Sequence, residues 1–194
     1  GDSVWIYDLP NKAPIDGFSG ATPLAQIGQG AASKMASFHD MFMGFIPGSI
    51  GETSTLAILI GAAILIFTGI GSWKIMLSVV LGTLSMGFLC NLFPLNDYMT
   101  LSAYYHLVMG GFAFGTVFMA TDPVTASHTE KGKWIYGFMI VFLVVLIRLF
   151  NPAYPEGMML AILLMNVWSP LIDYFVVEGH IKRRLKRAKL KANA

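Results

Sequence analysis

Long apolar stretches joined by short polar connections dominate the chain, at about Ser54–Ile70, Ile75–Phe93, Tyr104–Ala120, Trp134–Phe150 and Gly157–Val177. Each is about as long as an α-helix must be to cross the hydrocarbon core of a bilayer, roughly 17 to 25 residues. Apolar residues fill these stretches in near-continuous runs rather than at amphipathic spacing, which predicts helices packed against lipid and one another. Five spans follow. Ahead of them, Asp16–Thr22 is small and polar, and Pro23–Ala36 reads as a short helix rich in Ala and Gly. Met41–Ile46 is an apolar patch too short to span, suited to re-entrant or interfacial packing. Gly44, Pro47, Gly48 and Gly51 then break the chain before the first full helix. Irregular backbone at membrane depth is tolerated only beside protein or a protein-lined cavity, so this region is a functional candidate. The organisation expected is a segment 1–53, a five-helix membrane domain 54–177 and a basic tail 178–194.

Composition sharpens the class. Of 194 residues, 55% are hydrophobic and only 12% charged, about half the charged fraction usual in soluble domains. That excludes a disordered chain, a secreted disulfide scaffold and a free-standing cytosolic enzyme. The single cysteine, Cys90, supplies neither a disulfide nor the several ligands that a structural zinc or iron–sulfur site needs. Redox chemistry here would require an organic cofactor or a partner's cluster. Nucleic acid is not an expected partner. The chain opens on Gly1 rather than Met, with no signal segment ahead of its first polar stretch, and is expected to be the later part of a longer polypeptide.

Charge sets an orientation. An odd number of spans puts residues 1–53 and the tail on opposite sides. Lys182, Arg183, Arg184, Lys186, Arg187, Lys189 and Lys191 fall on the same side as Lys74, Lys131 and Lys133, ten of the 13 basic residues in all. Because positive loops stay in the cytoplasm, the tail is predicted inside and the segment 1–53 outside. The plain account of the basic tail is attraction to lipid headgroups.

Thr22-Pro23 has the form of a helix start, with a hydroxyl at the N-cap and proline at the first helical position. Read alone it is a cap. Around it, Gly17, Gly20 and Ala21 strip bulk from the hydroxyl, so a large group could approach. An anion attached there would face free backbone N–H groups and the positive end of a helix.

The run Asp16-Gly17-Phe18-Ser19-Gly20-Ala21-Thr22-Pro23-Leu24 resembles the covalent flavin motif of a known family, the B-type membrane subunits of the bacterial sodium-translocating NADH:quinone reductases. The D-type subunits of the Rnf-type electron-transport complexes are a more distant likeness. Gly48-Ser49-Ile50-Gly51-Glu52-Thr53-Ser54, Met119-Ala120-Thr121-Asp122-Pro123-Val124-Thr125 and the stretch from Asp173 to Arg184 extend the resemblance over essentially the whole chain. It corresponds to the later half of the family's polypeptide. The implied fold is an all-α integral membrane protein: five transmembrane helices behind an extracytoplasmic, re-entrant flavin-bearing segment, half of a ten-helix transporter-like subunit.

The resemblance further implies flavin mononucleotide (FMN) on Thr22 through a phosphoester, with Asp16, Ser19, Gly20 and Ala21 completing the motif. Threonine is a poor nucleophile and no base is arranged beside it, so attachment should need a separate flavin transferase. Electrons would arrive from a flavin on another subunit and pass toward riboflavin and then ubiquinone. The setting is a multi-subunit complex in the bacterial cytoplasmic (inner) membrane, with NADH as the electron source and Na+ exported. The chain is then part of an enzyme rather than a complete one.

Two carboxylates form a second candidate. Asp122 follows the third span and Asp173 lies about one turn inside the cytoplasmic end of the fifth. Carboxylates at such depth are costly unless they meet water, a cation or a partner. A Na+ entry path is one reading, and the resemblance points the same way. The structural alternatives are an N-cap for Asp122-Pro123 and an ion pair of Asp173 with Lys182 or Arg183. Pro170 is expected to break the fifth helix and free carbonyls for a hard cation. Glu52 reads as a cap or orienting group for the first span. Arg148 and Glu156 read as a local ion pair, and His39, His106, His128 and His180 show no metal-binding spacing. The rival function is a flavin-free channel or transporter half of the inverted-repeat type, for which five helices and a broken entry segment are equally apt.

Overall fold

The structure is a computed structural model that describes residues 36–46, 48–49, 51–92, 97–150 and 156–192. The run Asp16–Leu24, which resembles a flavin motif, and the helix expected over Pro23–Ala36 lie outside these, apart from Ala36. The described residues contain helices and no strands.

Helix α1, Phe38–Met43, starts at Ser37, whose hydroxyl accepts from the Asp40 backbone N–H at 3.2 Å. It ends at Gly44, whose φ of +99° lies in the left-handed region. A side chain at Gly44 would in addition strike Ser54, with Cβ only 2.8 Å from the Ser54 Cβ. The apolar patch expected to pack rather than span does so. Met41 is fully buried with Val108 and Met109, and the Phe38 ring sits edge-on to Tyr104 and Tyr105 at 5.6 and 5.8 Å.

Helix α2, Thr55–Phe67, is capped by the Ser54 hydroxyl, which accepts from the Ala57 N–H at 3.3 Å. Its 13 residues rise only about 20 Å, less than the hydrocarbon thickness. Ile58 and Ala62 bury against Val117, and Gly61 makes room for the Phe118 ring.

Three longer helices make the centre: α3 (Trp73–Leu92), α7 (Glu130–Phe150) and α8 (Met158–Ala192). Trp73–Leu92 and Met158–Leu190 are each long and apolar enough to cross a membrane. Ile75, Val79, Tyr136, Ile140, Ala161 and Ile162 form the buried core between the three helices. Small residues set the spacing of α3 and α7. A Cβ on Gly137 would lie 2.8 Å from the Ser78 Cβ and 3.1 Å from the Ile75 carbonyl oxygen, and the Ser78 hydroxyl donates to the Trp134 carbonyl at 2.6 Å. Such close backbone approach is how membrane helices gain dispersion contact where lipid offers no hydrophobic driving force.

The third apolar stretch departs from a continuous helix. After the single turn α4 (Asp97–Thr100) the chain forms α5 (Tyr105–Val108), breaks at Met109–Gly111, and resumes as α6 (Phe112–Phe114), which runs into a π-helical turn, Gly115–Met119. Gly110 at the break has φ +58°, a conformation an L side chain disfavours by roughly 1 to 2 kcal/mol. Thr116 and Thr121 bond back to carbonyls four residues earlier, at 2.7 and 2.6 Å, a pattern that often bends helices. Hydropathy registers none of this, because Gly and Thr leave an apolar window apolar.

The fifth stretch departs in the other direction. Helix α8 runs unbroken through Pro170 and on into the basic tail. Proline removes one N–H, but both flanks are held, by Ala161, Ile162 and Met165 in the core and by hydrogen bonds to Asp173 beyond it. The expected break at Pro170 is absent, and residues 178–192 continue the same helix.

Candidate functional site

Thr22, Asp16, Ser19, Gly20 and Ala21 fall outside the described residues, so the described geometry concerns the two carboxylates and the broken third segment. Asp122 opens the connection between the π-helical turn and α7. Its Oδ2 accepts from the Thr125 N–H at 3.0 Å and from the Thr125 hydroxyl at 2.6 Å, while its carbonyl accepts from the Ala126 N–H at 3.1 Å. This is the capping role open to an Asp-Pro start. The Thr125 hydroxyl holds the Asp122 carboxyl below the usual carboxylate range against the opposing effect of burial, and the backbone N–H groups of Thr125 and Val124 add to the lowering.

Asp173 does more. Its Oδ1 accepts from the hydroxyls of Ser127 and Thr129, both at 2.6 Å, and from the Thr129 N–H at 3.1 Å; its Oδ2 accepts from the His128 N–H at 2.8 Å. One carboxylate on α8 thus caps the start of α7, satisfying donors that a helix N-terminus leaves without partners. Gly132 completes the cradle, since a Cβ there would come within 2.6 Å of the Asp173 Oδ1 and closer still to both hydroxyls. The expected partnership of Asp173 with Lys182 or Arg183 does not form. Lys182 pairs with Glu178 at 2.7 Å on its own helix, and four donors from another segment occupy Asp173. Both candidate carboxylates therefore hold the same connection, Asp122 at its start and Asp173 at its end.

Two further charged groups stand beside the broken third segment. Glu52 lies against Gly111, where a Cβ would sit 2.9 Å from the Glu52 Oε1. Burial pushes the Glu52 carboxyl up, and the negative charge of Glu156 adds to the rise. Arg148 is only 5% exposed, and its Nη1 lies 3.2 Å from the His106 Nδ1. The contact expected for Arg148 was with Glu156; the structure sets it against the α5 histidine, while the charge of Glu156 is felt by Glu52. Arg148, His106, Cys90, Thr83 and Phe112 line a small, mostly apolar cavity of about 30 Å³. A charged residue inside a predicted span marks function by default, and Arg148 is visible as such in the sequence. The Glu52–Gly111 contact carries no sequence signal, because it joins two glycine-flanked positions about sixty residues apart.

Comparison with known proteins gives this arrangement a lineage. The model of the NQR2, RnfD, RnfE family matches residues 3–182. The B-type subunit of the Na(+)-translocating NADH-quinone reductase of Chromohalobacter salexigens is 53% identical over 195 residues, covering 96% of this chain and 45% of that protein. The subunits of the same name from Klebsiella pneumoniae and Pseudomonas paraeruginosa are 51% and 50% identical, again over 96% of this chain and 46% of theirs. The chain thus spans about half the length of the curated relatives it matches. A match over 180 consecutive positions, joined to half-identity along nearly the whole chain, is far more than shared membrane composition can produce, and the likeness first carried by a few motifs extends through the helices of the bundle: this chain belongs to the NQR2, RnfD, RnfE family.

Proposed function

We propose that this chain is the C-terminal portion of a flavin-carrying membrane subunit, working in a respiratory complex that moves electrons from NADH to ubiquinone and exports Na+. The observation that carries the reading is the identity of about one half, over 96% of the chain, to subunits named for that activity. In this reading FMN is joined to Thr22 through its phosphate, with Asp16, Ser19, Gly20 and Ala21 forming the surrounding motif, and riboflavin is a further cofactor of the complex. The flavin supplies the redox chemistry when bound, and the chain's own part is to anchor and orient it. A flavin transferase attaches it, and the other subunits supply and receive electrons.

The proposed topology has five crossings, 54–177, in the bacterial cytoplasmic membrane, as half of a ten-helix subunit. Residues 1–53 form the outward-facing, re-entrant segment and the tail 178–194 lies inside, an orientation supported by the ten basic residues on one side. The broken third segment fits such a scaffold, since irregular backbone at membrane depth needs protein or a cavity beside it, and Glu52, Met41 and Met158 pack there. We place the cytoplasmic approach of Na+ at the connection 122–129. Asp122, partly exposed and held by donors of its own turn, Thr125 and Val124, is better placed to meet the ion than Asp173, whose oxygens accept four hydrogen bonds from another segment.

The test is intact mass and in-gel flavin fluorescence on the denatured chain, made in a host with the flavin transferase, beside Thr22→Ala. Covalent flavin with the mass of one FMN less water, absent from the variant, is the expected result. A flavin-free chain from a competent host would overturn the reading and favour a transporter half without redox function. The equivalent subunit of an Rnf-type complex is the second reading, favoured by the breadth of the matching family; the electron donor accepted by the assembled complex separates the two.

A further inference from the structure

At the end of the bundle that carries the basic tail, an open groove of about 520 Å³ lies between the segment 128–131 and α8. Its α8 wall consists of Val176, Val177, His180, Ile181 and Arg184. That spacing is a single helical face. Its composition changes along its length: Val176 and Val177 toward the membrane, then His180 beside Ile181, then the guanidinium of Arg184. Facing it are His128 and Lys131. The acidic group on the rim, Glu130, is already bound by Lys74 and by Lys133, the latter at 3.2 Å, so the groove keeps the positive charges of Lys131 and Arg184.

Aromatic side chains mark the depth. Trp73 and Trp134 meet edge to face at 6.5 Å, and both present ring surface outward. Tyr174 and Phe175 on α8 are each 60% exposed, just before the groove. A belt of exposed Trp and Tyr is where membrane proteins meet the headgroup layer. The groove therefore opens at headgroup level, with apolar residues on its membrane side and cations on its water side. Its opposite wall is fixed, because the four hydrogen bonds to Asp173 pin residues 127–129 to α8.

From this geometry we infer that the groove is a binding site for one anionic membrane phospholipid. The phosphate lies between Lys131 and Arg184, with His128 and His180 as hydrogen-bonding neighbours, and the first methylenes of the acyl chains run along Val176 and Val177. Charge complementarity selects the anionic headgroup, and the apolar half selects a lipid over a free anion. The inference requires only that α8 leaves the membrane near Val177, and it is independent of where the flavin sits.

The test is native mass spectrometry of the full-length subunit in its purified complex, titrated with phosphatidylglycerol and, separately, phosphatidylcholine. Three proteins are compared: wild type, K131Q/R184Q, and K186Q/K189Q, which removes the same charge from exposed positions outside the groove. Wild type is expected to retain phosphatidylglycerol in preference to phosphatidylcholine. K131Q/R184Q should lose about thirtyfold in phosphatidylglycerol affinity, from about 1 kcal/mol per cation, while K186Q/K189Q changes it less than threefold. Unchanged far-UV circular dichroism of K131Q/R184Q would show that the helices persist. Equal losses in the two double variants would overturn the site in favour of diffuse attraction to the tail. Equal retention of the two lipids, or displacement of phosphatidylglycerol by millimolar inorganic phosphate, would overturn it as well.

Discussion

The carboxylate of Asp173 and residue Thr129, 44 positions earlier, are joined twice: the Thr129 hydroxyl donates to Oδ1 at 2.6 Å and its N–H donates to the same oxygen at 3.1 Å. An acidic residue of the last helix thereby fixes where α7 begins. Removing the acceptor takes the partner from four donors: the hydroxyls of Ser127, which is 2% exposed, and of Thr129, and the backbone N–H groups of His128 and Thr129. Each such loss costs about 1 to 3 kcal/mol when buried.

Asp173→Ala should therefore lower the thermal midpoint of the purified subunit whether or not Na+ is present. Gly132→Ala, which leaves every charge in place but drives a methyl group against Ser127, Thr129 and Asp173, should lower it as well. A Na+-binding role without this structural role would show otherwise: Gly132→Ala neutral, and the Asp173→Ala loss recovered by raised Na+. Midpoints measured at two Na+ concentrations decide between them.

Two glycines separate packing from backbone strain. Gly137 on α7 has ordinary helical backbone and no space, with the Ile75 carbonyl 3.1 Å from any added Cβ; Gly69 after α2 has open space and φ +74°. Overpacking typically costs about 1 to 3 kcal/mol, and a left-handed Ala roughly 1 to 2. Gly137→Val should thus destabilise strongly and weaken the α3–α7 contact, whereas Gly69→Ala should cost modestly and Gly69→Asn, which tolerates that conformation, almost nothing. Thermal unfolding of the three variants in detergent measures the order.

How far the fold could be read from the residues differs from helix to helix. Apolar runs placed α3, α7 and the first part of α8 closely, because each is a long unbroken element whose character survives averaging. The same averaging hid the break at Gly110–Gly111, where the decisive facts are a positive φ and a carboxylate from Glu52 rather than hydropathy. Proline misled in the opposite sense at Pro170: the local cost is real, and contacts on both flanks outweigh it. Asp173 was legible as a costly charge near a helix end, but not its partners, since a carboxylate facing hydroxyls and N–H groups 44 to 46 positions away leaves no local trace. Thr22 stood out through the bare residues around it, and its setting rests on sequence alone.

Asp122 and Thr125 make a compact titration test outside the spans. With the Thr125 hydroxyl as the leading cause, the folded carboxyl titrates below its unfolded value. Its contribution to stability is present above the unfolded value and is lost as the pH falls through the folded one. Thr125→Val keeps the shape and the backbone donor but removes the hydroxyl, so the Asp122 carboxyl should move back up toward the ordinary range. Carboxylate infrared titration with isotope-labelled aspartate, with Asp122→Asn to assign the band, follows the shift. An unmoved band would rule out the hydroxyl as the cause.

Glu52 carries the opposite sign. Burial first, and the charge of Glu156 second, raise its folded carboxyl above the unfolded value. In the window between the two values the native chain holds more protons than the unfolded chain, so stability falls as the pH rises through it. The benefit is complete below the unfolded value and gone above the folded one. Glu52→Gln preserves size while removing the charge. It should raise the thermal midpoint at pH values above the folded titration, where wild type carries the ionised carboxylate against Gly111, and the difference should vanish as the pH drops below the ordinary carboxylate range. Glu156→Gln should reproduce part of the effect, since it removes only the second cause. Were Glu52→Gln instead to destabilise at those higher pH values, the ionised carboxylate would have to be stabilised there by a positive partner, and Glu52 would belong among the charges that the broken third segment holds for function.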